Sequence, residues 1–378
     1  MSVGSIMNLL SPRERQHGSA PIPPAHNNFD YIRLFAATQV VIFHALYHLK
    51  IDAPSWTKVL GPFPGVPIFF VVSGFLITAS YERSSSLRSY AEKRARRIFP
   101  GLWFCLIVTA LVLLALGYPL LTRPGLTWFG SQLAALIYTP QFLHSFGFGS
   151  YNGSLWTIPV ELQFYVTVPL LSLVVQRASN RSAAILAVLA AAIAVGVLIR
   201  IWLPTVMGMY DHPESMAEKL VRYSFVAHYY QFALGAAACY LSLHLRWWVR
   251  GKVLFWLASL IALNIFTPFS AVTSVAEHIV LGILTLSAAF TLAGPSRMGH
   301  VDISYGVYLF HGLILNLFVA FGLVGAPVAF YVLLACSYAA GWVSWTFVES
   351  RFLKRGGKSP APIVSDLRKD DVVALDRR

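Results

Sequence analysis

The sequence predicts an all-α fold, a polytopic transmembrane helical bundle of about ten spans. Hydrophobic residues make up 57% of the 378 residues and charged residues only 12%, whereas soluble domains have about 45–50% apolar and 25% charged residues. Apolar runs recur along nearly the whole chain, and each is close to the roughly 20 residues that cross a bilayer as a helix. The composition therefore excludes a soluble protein and predicts a single membrane domain.

The predicted spans follow the apolar runs in chain order. They cover about 31–49, 61–80, 99–118, 154–176, 183–203, 224–243, 253–269, 275–294, 303–322 and 326–348. With the N-terminus in the cytoplasm, every basic cluster after the first span falls in a cytoplasmic loop, as the positive-inside rule requires. These clusters contain Arg83, Arg88, Lys93, Arg94, Arg96, Arg97, Arg177, Arg181, Arg246, Arg250, Lys252, Arg297, Arg351, Lys354 and Arg355. Both termini are thus predicted to be cytoplasmic, and the net charge of +13 indicates topology rather than nucleic-acid binding.

One further apolar stretch, residues 126–143, is not counted as a span. Counting it would place Arg177 and Arg181 outside and would invert every later loop. We therefore expect a re-entrant or interfacial element on the outer side. The predicted organisation is a flexible cytoplasmic N-terminus (1–29), an integral membrane domain (30–355) and a disordered cytoplasmic tail (356–378).

Two ionisable residues, Arg33 and His44, lie inside the first apolar run. Such residues are costly in a membrane and indicate function by default. Eleven positions separate them, which is about three helical turns, so they lie on nearly the same helix face about 16 Å apart. The simpler alternative is that Arg33 forms an interfacial ion pair with Asp30 and anchors the helix.

Five sequence features, taken in order, closely resemble the membrane-bound acyltransferase 3 family. The first is Arg33 followed by ten residues and His44. The others are residues 67–77 (PIFFVVSGFLI), 93–100 (KRARRIFP), 155–165 (LWTIPVELQFY) and 303–311 (ISYGVYLFH). The resemblance covers about residues 28–355. It departs at Thr157, where the family usually has serine, and at residues 348–351 (VESR), where Glu-Arg-Pro is common.

The resemblance implies a bacterial O-acyltransferase of the inner (cytoplasmic) membrane, in the stand-alone form without a periplasmic hydrolase-like domain. Its expected reaction moves an acyl group, with acetyl as the expected one, from cytoplasmic acyl-CoA to a hydroxyl of an extracytoplasmic glycan or glycolipid. Expected partners are acyl-CoA as the donor substrate, a glycan or lipid-linked sugar as acceptor, and membrane lipids. No permanently bound cofactor and no nucleic acid are expected.

The predicted catalytic residues are His44 and Glu161. Acyl transfer to a hydroxyl needs a base, and the ordinary pKa of imidazole, about 6.5, suits proton transfer near neutrality. In the predicted topology both residues lie in the outer half of their spans, so Glu161 is expected to orient His44 or stabilise its imidazolium. The alternative for Glu161 is that it satisfies backbone groups freed by Pro159.

The predicted donor site is basic. Arg33 at the inner end of the first span and the loop carrying Arg94 and Arg97 are expected to bind the phosphates of CoA, because arginine offers paired donors. The basic loop also has the simpler interpretation of a topology determinant.

The remaining candidates are expected to contact substrate or to line a pore. Ser304, Tyr308 and His311 follow i, i+4, i+7 spacing and form one polar stripe, although a structural role for His311 is the simpler alternative. Ser73 has an alternative as an acyl carrier, but packing or pore lining is favoured. Trp156 and Tyr165 complete this set through the resemblance.

Other interpretations are weighed against this one. His44 and His48 have the i, i+4 spacing of a metal-ligand pair, but without a nearby acidic or cysteine partner no metal is predicted. A transporter should show duplicated halves with interrupted helices, which the sequence lacks. A polyprenyl-phosphate-dependent glycosyltransferase should carry acidic residues in the first outer loop, which contains only Asp52.

Overall fold

The computed structural model describes residues 27–209, 213–291 and 301–354, and within these ranges the regular structure is helical. The predicted tail, Arg297, Arg355 and most of the predicted N-terminal segment lie outside the described residues. The helices are α1 (Phe29–His48), α2 (Gly65–Glu82), α3 (Leu87–Ala115), α4 (Arg123–Leu133), α5 (Thr157–Arg177), α6 (Arg181–Trp202), α7 (Met216–Arg222), α8 (Tyr229–Tyr240), α9 (Val253–Phe266), α10 (Ala271–Phe290), α11 (Ser304–Ala320), α12 (Pro327–Ser344) and α13 (Ser350–Lys354). A π-helical turn, Trp345–Glu349, joins the last two.

The helices confirm the predicted membrane bundle. Seven of them are long and apolar enough to cross a bilayer, by length and composition: α1, α2, α3, α5, α6, α10 and α12 with their short extensions. The shorter helices α8, α9 and α11 fall within the other three predicted spans. Each predicted span therefore overlaps one of these ten helices.

The stretch 126–143 contains most of one short helix and a 3₁₀ turn, and its non-crossing position stays a prediction. Helix α4 has only 11 residues and is followed by a short 3₁₀ turn at Gln141–Leu143.

The predicted basic loop at 83–97 is wrong as a loop, because α3 begins at Leu87 and runs for 29 residues. The Ser86 side chain accepts a hydrogen bond from the Ser89 backbone N–H at 3.1 Å and caps the helix. Hydropathy indicates where the apolar run begins, but lysine, arginine, alanine and glutamate all favour helix. Arg94 and Arg97 are consequently neighbours on one helix face, three positions apart.

Glycines allow the central helices to approach closely. A Cβ atom at Gly74 of α2 would lie 2.0 Å from the Phe232 carbonyl oxygen, and one at Gly235 of α8 would lie 2.0 Å from the Val71 carbonyl oxygen. Small residues at helix crossings are typical of membrane bundles, in which close backbone contact drives association. This contact fixes α2, which carries Ser73, against the rest of the bundle.

We expect Gly235→Ala to lower the stability of the bundle by about 1–3 kcal/mol, because the added methyl group meets backbone atoms that cannot move aside. The measurement is the apparent melting temperature of purified protein in detergent. Gly130→Ala in α4 is the matched control, since nothing lies within 4 Å of a Cβ there. Equal melting temperatures for the two variants would contradict the close crossing.

Candidate active site

A cavity of about 100 Å³ lies in the interior between α1, α2, α3, α5 and α11. Eight of the predicted site residues line it: Arg33, Ser73, Arg94, Arg97, Glu161, Tyr165, Ser304 and Tyr308. Most of the other lining side chains are apolar, among them Phe69, Phe70 and Leu76. The structure thus brings together residues that are more than 270 positions apart in the chain.

Asp302 holds two of the arginines in place. One of its carboxylate oxygens accepts hydrogen bonds from both Arg33 and Arg97, the latter at 2.5 Å, and the other oxygen accepts from the Ser304 hydroxyl at 2.5 Å. The Asp302 side chain is only 7% exposed. Burial raises the pKa of its carboxyl group, but Arg97 and Arg33 outweigh burial and hold this pKa well below its usual range. Asp302 is therefore ionised at neutral pH.

The ion pair between Arg33 and Asp30 is also present, but it is the weaker of the two that Arg33 forms. The two side chains are 3.6 Å apart, and Asp30 is 31% exposed. Sequence reasoning identified this pair and missed Asp302. A search for the carboxylate that neutralises Arg33 inside the bundle would have favoured Asp302, which directly precedes the motif at 303–311.

Arg94 is placed differently from the other two arginines. It donates a hydrogen bond to the Ser80 hydroxyl at 3.2 Å and lies over the Tyr165 ring, 5.9 Å from its centroid. Its Nε atom is buried without a hydrogen-bond partner, and no carboxylate of the described residues lies within 4.0 Å of its guanidinium. Arg94 is thus a cation at the cavity wall that pairs with none of the described carboxylates.

Glu161 lies at the cavity and not beside His44, so the predicted Glu161–His44 pair is wrong. Its carboxylate accepts hydrogen bonds from the Tyr165 hydroxyl at 2.7 Å and from the Ser73 hydroxyl at 3.4 Å. Sequence position predicts how deep His44 and Glu161 lie in the membrane. It does not show which helices pack against each other. Ser73 therefore lines the cavity as expected, within hydrogen-bond distance of a carboxylate.

His44 is paired instead with His311. His44 Nδ1 lies 3.1 Å from His311 Nε2, and the Ser154 hydroxyl lies 2.8 Å from His311 Nε2 and 3.3 Å from His44 Nδ1. His311 Nδ1 is 2.7 Å from the backbone carbonyl oxygen of Tyr308. His311 and Ser154 are buried, whereas His44 is partly exposed.

When both rings are neutral, one pair of tautomers satisfies all of these contacts. A carbonyl oxygen can only accept, so His311 carries its proton on Nδ1 and offers Nε2 as an acceptor. His44 Nδ1 then carries a proton and donates toward His311 and Ser154. The basic nitrogen of His44 is consequently Nε2. His311 thus lies beside His44, where sequence reasoning placed Glu161.

A short chain of polar contacts links the histidine pair to the cavity. The Tyr308 hydroxyl, which lines the cavity, donates to the Ser154 carbonyl oxygen at 2.9 Å and lies 2.9 Å from the Thr157 hydroxyl. Ser154 in turn contacts both histidines. Tyr308 and Thr157 therefore form the wall between the cavity and the histidine pair. Ser154 lies on the far side of this wall and contacts His44.

Two asparagines hold the segment that presents Ser154. Asn316 of α11 donates to two backbone carbonyls of this segment, at 2.8 and 3.1 Å, and Asn152 donates to the Leu309 carbonyl oxygen at 2.8 Å. Gly147 has a φ of +56°, and a Cβ atom there would lie 2.1 Å from the Asn316 side-chain oxygen. Ser154 was not predicted, and its position directly before the motif at 155–165 is the one sequence feature that could have indicated it.

Two remaining predictions concern Trp156 and a metal. The Trp156 ring does not line the cavity and packs against the rings of His228 and Tyr223, with centroids 5.2 and 5.3 Å apart. Within the described ranges no three potential metal ligands come together. His48 stacks on Phe148 with a centroid distance of 3.8 Å.

The fold and site define a class: a multi-pass membrane protein with an arginine-lined cavity and a histidine pair inside one helical bundle. Residues 26–346 match the acyltransferase domain of the acyltransferase 3 family. The chain therefore belongs to this family, and it is an O-acetyltransferase.

Several known proteins are similar to this chain. Nodulation protein 10 of Rhizobium leguminosarum bv. viciae is 32% identical over 353 residues, which cover 87% of this chain and 93% of that protein. The O-acetyl transferase of Shigella phage Sf6 is 24% identical over 342 residues, covering 87% and 96%. Peptidoglycan O-acetyltransferase OatA of Listeria monocytogenes is 27% identical over 193 residues, covering 47% of this chain and 28% of that protein. No solved structure matches the chain significantly.

Proposed function

We propose that this protein moves an acetyl group from cytoplasmic acetyl-CoA to a hydroxyl of an extracytoplasmic glycan or lipid-linked sugar, in the bacterial inner membrane. The observation that carries the proposal is the contact chain from the arginine-lined cavity through Tyr308 and Ser154 to His44. A polysaccharide acceptor is supported by a relative that is named a peptidoglycan O-acetyltransferase. The proposed placement of the donor on the cytoplasmic side and the acceptor on the outer side rests on the positive-inside pattern of the basic residues.

The donor enters from the end of the bundle that carries Arg33, Arg94 and Arg97. CoA phosphates stay at this end because hydrocarbon does not solvate them, and the slender pantetheine arm extends through the cavity. The arm ends at the wall formed by Tyr308 and Thr157, and movement of this wall brings the thioester to His44. Helix α1 sets the distance between the donor-binding arginines and the base, since Arg33 and His44 are about 16 Å apart along its axis.

The chemistry then requires one base and one thioester. His44 Nε2 takes the proton of the acceptor hydroxyl as its oxygen attacks the thioester carbonyl carbon. The tetrahedral intermediate collapses as the carbon–sulfur bond breaks, and the imidazolium returns the proton to the CoA thiolate. The products are the acetyl ester and CoA, and both histidines regain their starting protonation states.

We expect His311→Ala to lower kcat by about 10²-fold or more, because His44 loses the acceptor that fixes its Nδ1 proton. The KM for acetyl-CoA should stay near the wild-type value, since His311 does not line the donor cavity. His311→Gln should recover part of the rate, because its side-chain oxygen can accept the same hydrogen bond. A raised KM with unchanged kcat would instead make His311 a donor-binding residue.

We expect Arg94→Ala to weaken acetyl-CoA binding about tenfold or more, because hydrogen bonds to charged groups contribute about 1.5–3 kcal/mol. Isothermal titration of purified protein with acetyl-CoA is the measurement, and raised salt should weaken wild-type binding in the same direction. Arg88→Ala is the control, since Arg88 is exposed and paired with Glu92. Unchanged affinity of Arg94→Ala for acetyl-CoA would show that Arg94 does not bind the donor and would leave it only the role of a topology determinant.

A further inference from the structure

On the side of the histidine pair, the cavity ends at two hydroxyl groups. These belong to Thr157 and Tyr308, which line the cavity and are both buried. Tyr308 lies three positions before His311 on α11, which is about 4.5 Å along the helix axis. A thioester that reaches this end of the cavity is therefore about one helical turn from the histidine pair.

The hydrogen bonds at this end give Tyr308 the proton that can be donated. Its hydroxyl donates to the Ser154 carbonyl oxygen at 2.9 Å. Because this bond uses the only hydroxyl proton of Tyr308, Thr157 is the donor in the 2.9 Å contact between the two hydroxyls. A hydroxyl proton rotates about its C–O bond, so the Tyr308 proton can turn to a new acceptor while Thr157 holds the oxygen.

The other hydroxyl groups of the cavity are used differently. Three of them donate to carboxylates: those of Ser73, Tyr165 and Ser304. A carboxylate is a stronger acceptor than a thioester oxygen, so these hydroxyls stay where they are. The Tyr305 hydroxyl donates to the Ile98 carbonyl oxygen at 3.0 Å, next to Arg97 at the basic end. Tyr308 alone among these donors combines a neutral acceptor with a position beside the histidine pair.

We infer that the Tyr308 hydroxyl stabilises the oxyanion formed during acyl transfer, and that Thr157 is its positioning residue. This inference rests on the proposed function. As the acceptor oxygen bonds to the thioester carbon, the carbonyl π electrons move onto the carbonyl oxygen, and the Tyr308 proton turns from Ser154 to that oxygen. The electron pair re-forms the carbonyl bond as the carbon–sulfur bond breaks, so Tyr308 keeps its proton throughout.

Tyr308→Phe removes this donor and keeps the ring. In isolated membranes with their endogenous acceptor, we expect kcat for acetyl transfer to fall about 10²–10³-fold, the usual effect of losing one oxyanion donor. The KM for acetyl-CoA should stay near the wild-type value. Thr157→Val should lower kcat by up to about tenfold, whereas Thr157→Ser keeps the hydroxyl and should stay within a few-fold.

The matched control is Tyr151→Phe, which removes another buried tyrosine hydroxyl. That hydroxyl donates to the Gln132 side-chain oxygen at 2.6 Å, and Tyr151 is not among the residues that line the cavity. We expect its kcat to stay within a few-fold of the wild type. A loss as large as that in Tyr308→Phe would overturn the inference, because any buried hydroxyl would then have the same effect.

Two unreactive donor analogues separate an oxyanion site from a structural role. Acetonyl-CoA and carboxymethyl-CoA have the same skeleton, but the first ends in a neutral ketone and the second in a carboxylate. Hydrogen bonds to a charged oxygen are about twice as strong as those to a neutral one. In calorimetric titrations, Tyr308→Phe should therefore lose about tenfold more affinity for carboxymethyl-CoA than for acetonyl-CoA. Thr157→Val should show the same preference more weakly.

The outcomes separate this inference from the proposed function. Full activity of Tyr308→Phe overturns the inference and leaves acetyl-CoA as the donor. A loss of kcat with equal affinity changes for the two analogues also overturns it, because Tyr308 would then only hold Ser154 in place. Wild-type membranes that transfer no acetyl group from acetyl-CoA to their endogenous acceptor would instead overturn the proposed function.

Discussion

His44→Ala is expected to lower acyl transfer by about 10²–10⁴-fold, the usual contribution of a positioned general base. The loss should fall on kcat, because His44 lies beyond the wall of the donor cavity and no donor contact is removed. The measurement is acetyl transfer by purified protein, with acetyl-CoA affinity determined in parallel. Unchanged affinity would show that the bundle is intact.

The matched control is His48→Ala, one helical turn further along α1. His48 stacks on Phe148, and its ring centroid is 6.1 Å from that of His44, so activity should stay within a few-fold of the wild type. A folded His44→Ala protein with full activity would remove His44 from the mechanism. An equal loss in His48→Ala would instead favour the metal-pair interpretation of the two histidines.

Asp302→Asn is expected to destabilise the bundle by about 3 kcal/mol, because two arginines lose their shared counter-charge. Breaking a buried ion pair costs about 3–5 kcal/mol of folding free energy. We expect the lower end of this range because the Arg33 and Arg97 side chains are 20% and 21% exposed. Because the pKa of Asp302 is depressed, its contribution is fully present above the unfolded-state pKa and is lost as the pH falls through the lower folded-state pKa. The difference between variant and wild type should therefore be constant around neutral pH.

The control for this variant is Asp30→Asn, which removes the other acid beside Arg33. Asp30 is 3.6 Å from Arg33 and 31% exposed, so its loss should cost less than about 1 kcal/mol. Apparent melting temperatures in detergent between pH 6 and 8 compare the two. Equal losses of melting temperature in the two variants would contradict the claim that Asp302 is the main counter-charge of Arg33.

The membrane bundle was predictable because composition and the spacing of apolar runs report directly on the bilayer. Arg33 and His44 were also predictable, since an ionisable residue in an apolar run is visible in the sequence itself. The bounds of α3 were not, because hydropathy indicates the membrane boundary while helix propensity extends the helix through Lys93 and Arg94.

The partners of the site residues were beyond sequence reasoning for a different reason. His44 and His311 are 267 positions apart, and Arg33 and Asp302 are 269 apart. Which residues meet across such distances depends on how α1 and α11 pack, and a single sequence carries no record of that packing. For the same reason Glu161 was assigned to the wrong neighbour, although its place in the site was predicted.

The most direct test of the account is acetyl transfer across a sealed membrane. Inverted vesicles expose the cytoplasmic face, so radiolabelled acetyl-CoA is added outside while the acceptor glycan is enclosed within. Vesicles that contain the His44→Ala protein provide the blank. We expect label in the enclosed glycan with wild-type protein while the vesicles remain impermeable to acetyl-CoA. Labelling that requires permeabilised vesicles, so that donor and acceptor share one face, would contradict transfer through the bundle.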